Sequence, residues 1–406
     1  MNLFKLWQTE WNPTIKTPIE IQLPESWSVE FRDFPADSWP EMTPSQMREA
    51  IQHPIGGRTI REMAQTGHEA CIVVDDLSRG TQAGKIAKIV LEELEVGGIT
   101  KEHTRFVCAL GTHAPHTRAH LVAKLGKEIV ENYMVYNHNC FDSCVNIGTN
   151  SKGDPVEVNM EFMSCDIKIG IGACTPHVMN GYGGGGKLLF PGIASIKTTA
   201  LNHSRREWLP IGTLEKCGMR QDIEEMTHMV GEFFKIDAVI NSKTDTVALF
   251  AGDPIQEYYE AIKVVCDANA WEPIDEEKDV VIVNANAKYN ECSLAVYMAQ
   301  PAVKVGGDIV MVNFCPDGQV IHYLAGSFTH SKGSAGPNEK GKSYKAGRII
   351  YYTPYPDMYS TTWFDEPNKV IFAKTWEEIL TLLGNHGEQT TAAVLTDGSI
   401  GYFKRN

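Results

Sequence analysis

Short apolar runs alternate with amphipathic stretches along most of this 406-residue chain. Residues 70–74 (ACIVV) form the first strong strand candidate, rich in β-branched residues and ended by Asp75 and Asp76. The following TQAGKIAKIVLEELEVGG puts Ile86, Ile89, Val90 and Leu94 on one helical face and stops at Gly97-Gly98. Residues 105–110 (RFVCAL) repeat the strand pattern, and GTHAPHT then leads into the helical TRAHLVAKLG. A further strand is predicted at 165–172 (CDIKIGIG). This rhythm predicts an α/β fold with mainly parallel sheets covered by helices. Ligands bind such sheets beyond the carboxyl ends of the strands. The loops that matter are therefore DDLSRG, GTHAPHT and the glycine-rich stretch after 172.

The pattern breaks near 270–278 (NAWEPIDEEK), where Pro273 and a run of carboxylates interrupt it. DVVIVNA and GGDIVMVNF then restart the strand rhythm, with KVIFA and AAVLT further on. Two α/β domains are expected, one over 1–272 and one over 279–406. SLAVYMAQPAVKV reads as the first crossover helix of the second domain, shortened or kinked by Pro301. AAVLTDGSIGYF reads as a terminal hairpin turning at Asp397-Gly398, packed on either domain.

Charge narrows the partners. Lys and Arg total 37 against 51 Asp and Glu, a net charge of −14. So acidic a surface argues against nucleic acid and anionic membranes, which both need local positive charge. No segment reaches the ~18 uninterrupted apolar residues of a membrane helix, and MNLFKLWQTEWNPT lacks the basic flank and apolar run of a signal peptide. The 10 cysteines are scattered without a C-x-x-C, and Cys71 and Cys108 lie in apolar runs. That usage fits reduced, buried thiols in a cytoplasmic protein.

The most unusual stretch is TPHVMNGYGGGGKLLFPG, from Thr175 to Gly192. Gly183, Gly184, Gly185 and Gly186 free the backbone for close approach to a ligand, and their N–H groups could ring a phosphate. A flexible surface loop is the plainer reading of the glycines, but Lys187 directly after them favours an anion site or an amine held against a cofactor. Gly181 to Lys187 matches the G-x-x-x-x-G-K phosphate loop in spacing only. Leu188 stands where a hydroxyl should bind magnesium, and Pro191 interrupts the helix that should follow. His113 follows a predicted strand, His177 precedes the glycine run by six residues, and His203 follows Lys187 by sixteen. Neutral imidazole suits general-base work and also binds nickel, zinc or copper. His116, His120 and His138 are read as ordinary surface or core residues. In DDLSRG, Ser78 could cap the next helix, with Asp76 and Arg79 as a structural pair; equally, Arg79 could serve an anion site.

Together these stretches resemble the nickel-pincer-dependent lactate racemase family and its 2-hydroxy-acid racemase and epimerase relatives. The matching residues are Asp75-Asp76-x-Ser78-Arg79, Gly111-Thr112-His113, Pro176-His177, a Gly-Gly-x-Lys element ending at Lys187, Pro191-Gly192, and His203. The resemblance covers most of the first domain and implies an interdomain active-site cleft. It also implies the cofactor, a pyridinium-3-thioamide-5-thiocarboxylic acid mononucleotide that grips nickel as a pincer. By position Lys187 is its covalent tether, His203 the protein's metal ligand, and His113 and His177 the catalytic acid/base pair. The glycine run and Asp76, Ser78 and Arg79 would hold the mononucleotide phosphate or the substrate carboxylate.

The implied chemistry is inversion at C2 of a 2-hydroxy acid. The substrate loses a proton from oxygen and a hydride from carbon, passing through a planar 2-keto acid. Hydride has no stable home on a side chain, so the cofactor must accept and return it. Two histidines on opposite sides would serve the two enantiomers. The substrate side departs from the family's Tyr-Gln-x-x-Lys arrangement. Here Tyr297 is followed by Met298, and Pro301 takes the lysine position, so carboxylate binding should be weakened or relocated and the substrate should be other than simple lactate. The implied partners are that small molecule and, transiently, cofactor-synthesis proteins. Two alternatives remain at this stage: a zinc hydrolase using His113, His177 and His203 as a three-histidine site, and a non-catalytic phosphate- or nucleotide-binding protein using the glycine loop.

Overall fold

Strand Ala70–Asp75 is buried along its whole length, as its unbroken apolar run requires. The structure is a computed structural model and describes residues 2–205, 211–214, 217–324 and 344–404. Around that strand runs a six-stranded sheet in the order Thr246–Gly252, Phe234–Ile240, Ile167–Ala173, Ala70–Asp75, Thr104–Ala109, Met134–Asn137. Every neighbouring pair is parallel except the first. The chain builds outward from 70–75 through 104–109 to 134–137, then returns to place 167–173 on the other flank. That reversal opens a crevice beyond the strand ends. Helix Ala83–Val96 buries Ile86, Ile89, Val90 and Leu94 on the face expected from their spacing.

A second six-stranded sheet has the order Val370–Ala373, Arg348–Tyr352, Val303–Val312, Lys278–Asn284, Thr391–Leu395, Ser28–Arg32, and all its pairs are parallel. Helix Ser293–Ala299 gives way to a 3₁₀ turn at Gln300–Ala302, because Pro301 cannot continue the ladder. Among the described residues no helix is long and apolar enough to cross a membrane. All ten cysteines are free.

Two expectations need correction. Assigning 1–272 to one domain fails at its start, because Ser28–Arg32 is an edge strand of the second sheet. Leu6, Ile21, Leu23 and Trp27 pack there with Val280, Ile282, Val310 and Val394. Local periodicity says that a segment is a strand, not which sheet it joins. The terminal hairpin is also absent. Thr391–Leu395 lies parallel between 278–284 and 28–32, whereas Tyr402–Phe403 pairs in parallel with Ala270–Trp271. Asp397 is buried at the crossing, accepting Ala287 N (2.7 Å), Ser399 N (2.9 Å) and Ser399 Oγ (2.6 Å). An Asp-Gly hairpin turn would leave that carboxylate in solvent. One apolar core runs through both sheets, joining Ile72 and Val74 to Val281, Val283 and Leu395.

The crossing has no room for a side chain at 398. A Cβ on Gly398 would lie 2.6 Å from Val283 Cγ2 and 2.9 Å from Ala295 Cα. Gly398→Ala should therefore cost about 1–3 kcal/mol by overpacking, seen as a lower urea midpoint at unchanged m-value. An unchanged midpoint would contradict this close approach.

Candidate active site

The carboxyl edges of the two sheets face one another across a cavity of about 310 Å³. Each functional side chain hangs from a strand end. Asp76 and Arg79 follow 70–75, His113 follows 104–109, and His177 and Lys187 follow 167–173. From the second sheet, Lys288 and Glu291 follow 278–284, and His322 follows 303–312. The structure thus brings His113, His177, Lys187, His203, Asp76, Arg79, Tyr297 and Met298 to one cavity.

His113 is held from two sides. Its Nδ1–H donates to Asp76 Oδ2 at 2.6 Å, which leaves the lone pair of the neutral ring on Nε2. Glu291 Oε1 lies 3.7 Å from that nitrogen, and the His322 ring packs edge-on with centroids 5.1 Å apart. Burial alone would raise the Asp76 carboxyl, but His113 and Arg79 outweigh it and hold the group well below the usual carboxylate range. Ser78 does not reach the cavity. Its N–H and hydroxyl donate to Asp76 Oδ1, and it accepts from Arg79 Nη1 at 2.7 Å. The helix-cap reading of Ser78 also fails, because the next helix begins only at Ala83. Arg79 reaches Glu291 Oε2 at 3.2 Å, an ion pair that joins the two sheets.

The glycine loop is packed protein rather than a phosphate nest. Gly183 N donates to Thr175 O (2.7 Å) and Gly185 N to Asp237 Oδ2 (2.6 Å), so these donors are already used. Gly183 and Gly184 line the cavity; Gly185 and Gly186 do not. At Gly184 (φ +94°) a Cβ would lie 2.6 Å from the Asp237 carboxylate, and at Gly186 it would lie 1.9 Å from Thr227 Oγ1. The glycines let the loop sink onto its neighbours, which corrects the expectation that all four hold the cofactor. Gly185–Leu188 is one 3₁₀ turn, and the next helix starts only at Ile196, so no phosphate-loop helix follows Lys187.

That turn drives Lys187 inward until its Nζ lies 2.7 Å from His177 Nε2. Met179 N donates to His177 Nδ1 at 3.2 Å, which leaves the ring proton on Nε2, facing the amine. The amine can accept that proton only when uncharged. Burial, with Arg79 and Lys288 nearby, pushes Lys187 well below the ordinary lysine range. Burial and Lys187 likewise push His177 well below the ordinary histidine range. On helix Ile196–Ser204, His203 Nδ1 donates to Thr199 O at 3.0 Å, which puts the ring lone pair on Nε2, the form a metal ligand needs.

Sequence reasoning missed Lys288, Glu291 and His322. All three follow strand ends of the second sheet, where the rule applied to the first sheet would have found them. Tyr297 is about half exposed (43%) and Met298 is buried on the same helix; neither brings a charge. Among the described residues no three His, Cys, Asp or Glu side chains converge as metal ligands. The three-histidine zinc site therefore has no ligand set, although each histidine lines the cavity.

The chain is similar to known proteins over much of its length. A family described as the lactate racemase N-terminal domain matches residues 15–208. Curated lactate racemases from Thermoanaerobacterium thermosaccharolyticum and Lactiplantibacillus plantarum are 24% and 27% identical over 287 and 284 residues. Each match covers 67% of this chain and 66%, just under two thirds, of the relative. The lactate racemase apoprotein structure from T. thermosaccharolyticum superposes with a TM-score of 0.71 at 19% identity, over 99% of this chain and 100% of that one. Residues 15–208, just under half of the chain, thus match the lactate racemase N-terminal domain family, and the fold as a whole is similar to that of the lactate racemase apoprotein. A Thermotoga maritima protein of known structure shares the fold less closely, with a TM-score of 0.63 at 17% identity, over 90% of this chain and all of that one.

Buried cations leave a pH signature. Burial, then Arg79, depresses Lys288 to about 7. Between pH 7 and the unfolded value near 10.5 the unfolded chain binds more protons, so stability rises with pH across that window. Lys288→Met removes this penalty. The variant should be more stable than the parent at pH 6–7, by up to a few kcal/mol, and the gap should close toward pH 10. Urea unfolding at pH 6, 8 and 10 checks this; a gap independent of pH would refute it.

Proposed function

We propose that the protein is a nickel-pincer-dependent racemase or epimerase of a 2-hydroxy acid, an isomerase working in the cytoplasm. The observation that carries this reading is the Lys187–His177 contact, in which the amine of a half-buried lysine is fixed at 2.7 Å from an imidazole and held well below the ordinary lysine range. A lysine destined for covalent attachment needs its nitrogen lone pair, and this environment supplies it.

The residues fit the cofactor in three further respects. His203 offers one correctly protonated ring to a metal, and an organic group would supply the further ligands that the described residues do not gather. Lys187 stands on the same wall to tether that group. Arg79 and Lys288 face the cavity, where a phosphate or carboxylate would sit. When bound, such a cofactor supplies the hydride acceptor and donor that no side chain offers.

The protein's own residues then handle the proton. His113 Nε2 carries the lone pair that takes a hydroxyl proton, and Asp76 fixes this tautomer and stabilises the imidazolium that forms. His177 performs the converse role, returning a proton when the carbonyl is reduced on its other face. Its ring is released for this work once the Lys187 nitrogen is acylated and no longer accepts from it.

Two variants test the cofactor roles separately, in cells able to make the cofactor. Lys187→Ala should abolish the covalent mass adduct and activity while leaving the fold intact. His203→Ala should keep the adduct but bind nickel far more weakly. An adduct mapped to Lys168 or Lys197, or unchanged nickel occupancy in His203→Ala, would overturn the corresponding assignment.

A further inference from the structure

Four cationic side chains line the cavity: Arg79, Lys187, Lys235 and Lys288. Arg79 is paired with Glu291, and Lys235 with Asp237 at 2.5 Å. Lys187 meets His177 and is assigned above to the cofactor. Lys288 is different. It is 2% exposed, and its Nζ donates to Pro176 O at 3.3 Å. Among the described residues no carboxylate lies within ion-pair distance of it. An ammonium has three donors, and a main-chain carbonyl satisfies one without balancing the charge. Burying a cation in this way is strongly unfavourable unless a ligand completes the pair.

We infer that Lys288 is the anchor for the substrate carboxylate and sets the preference for 2-hydroxy acids. Its place in the fold supports the role. Pro176 directly precedes His177, so the ammonium sits beside the segment that carries a proton-handling imidazole. In a 2-hydroxy acid the carboxylate and the hydroxyl-bearing carbon are bonded neighbours. A carboxylate held at Lys288 therefore leaves the hydroxyl on the His177 side of the cavity. Met298 on the second-sheet wall is neutral, and Pro301 in the same stretch has no charge to offer. The amine backbone is itself fixed, because Lys288 N donates to Ser399 Oγ at 2.9 Å. The cation that Pro301 lacks is thus supplied thirteen positions earlier, at the end of strand 278–284 rather than from the following helix.

The inference rests on the 2-hydroxy-acid reading of the site, so the test keeps the two apart. Full-length protein is used as isolated from cells able to make the cofactor, with the mass of its Lys187 peptide recorded in parallel. Calorimetry measures Kd for D- and L-lactate, 2-hydroxybutanoate, malate and gluconate, and for the 1-amide of the tightest binder. Lys288→Met should weaken the acid at least tenfold and leave the amide within twofold. Lys288→Arg, which keeps the charge, should fall between parent and Met variant. Equal binding of acid by parent and Met variant, an equal loss for acid and amide, or a parent that prefers no acid over its amide would each overturn the assignment. A Lys187 adduct with acid affinity unchanged in Lys288→Met rejects the anchor and leaves the cofactor reading standing. An unmodified Lys187 with acid affinity lost does the reverse.

Discussion

Charge buried where two sheet edges meet is the constraint on which the site depends. The Arg79–Glu291 pair takes its cation from the end of strand 70–75 and its anion from beyond strand 278–284. Neither charge could be desolvated alone, so the pair ties the mutual placement of the sheets to the state of the cavity. Around it the balance is deliberately uneven. Asp75 is taken by Lys124 at 2.6 Å and Asp76 by His113, whereas Lys187 and Lys288 face the cavity with no carboxylate partner among the described residues. Lys288 is thereby left to pair with an anion, and Lys187 is held well below the ordinary lysine range.

Much of this was legible from the sequence, for identifiable reasons. The strand 70–75 and helix 83–96 were plain because burial on both faces and a 3.6-residue period leave unambiguous patterns. His113, His177, Lys187 and His203 could be singled out because strand ends and the glycine run mark where ligands sit in parallel sheets. What stayed hidden was set by contacts far apart in the chain. Nothing local says that residues 28–32 lie beside 391–395, or that Asp397 is a buried acceptor rather than a turn residue. The glycine run misled for a similar reason, since the N–H groups of Gly183 and Gly185 are used by Thr175 and Asp237 and the missing side chain of Gly186 makes room for Thr227.

The same distinction explains the missed cation, carboxylate and imidazole. Lys288, Glu291 and His322 carry no motif, and only the facing of two carboxyl edges gives them meaning. Lys288 in particular looks like a defect when stability alone is considered, a fully buried ammonium satisfied by one carbonyl. Such local penalties are expected where a site is arranged for a ligand rather than for the empty fold. On the proposed reading, first-sheet residues would handle protons and cofactor while the second sheet selects the substrate, a division that would let substrate preference change without disturbing the chemistry.

The most direct measurement follows the hydrogen on C2. Enantiopure 2-hydroxy acid deuterated at C2 is given to the cofactor-loaded protein and to His113→Ala and His177→Ala, and the inverted product is analysed for label. Hydride return predicts deuterium retained at C2 of the product, with little exchange into water. Each histidine variant should lose inversion by about 10²-fold or more, as expected for a missing acid/base group. Label washed into solvent at the rate of inversion would indicate a carbanion and contradict the hydride mechanism, and appreciable inversion by either variant would contradict the two-histidine arrangement.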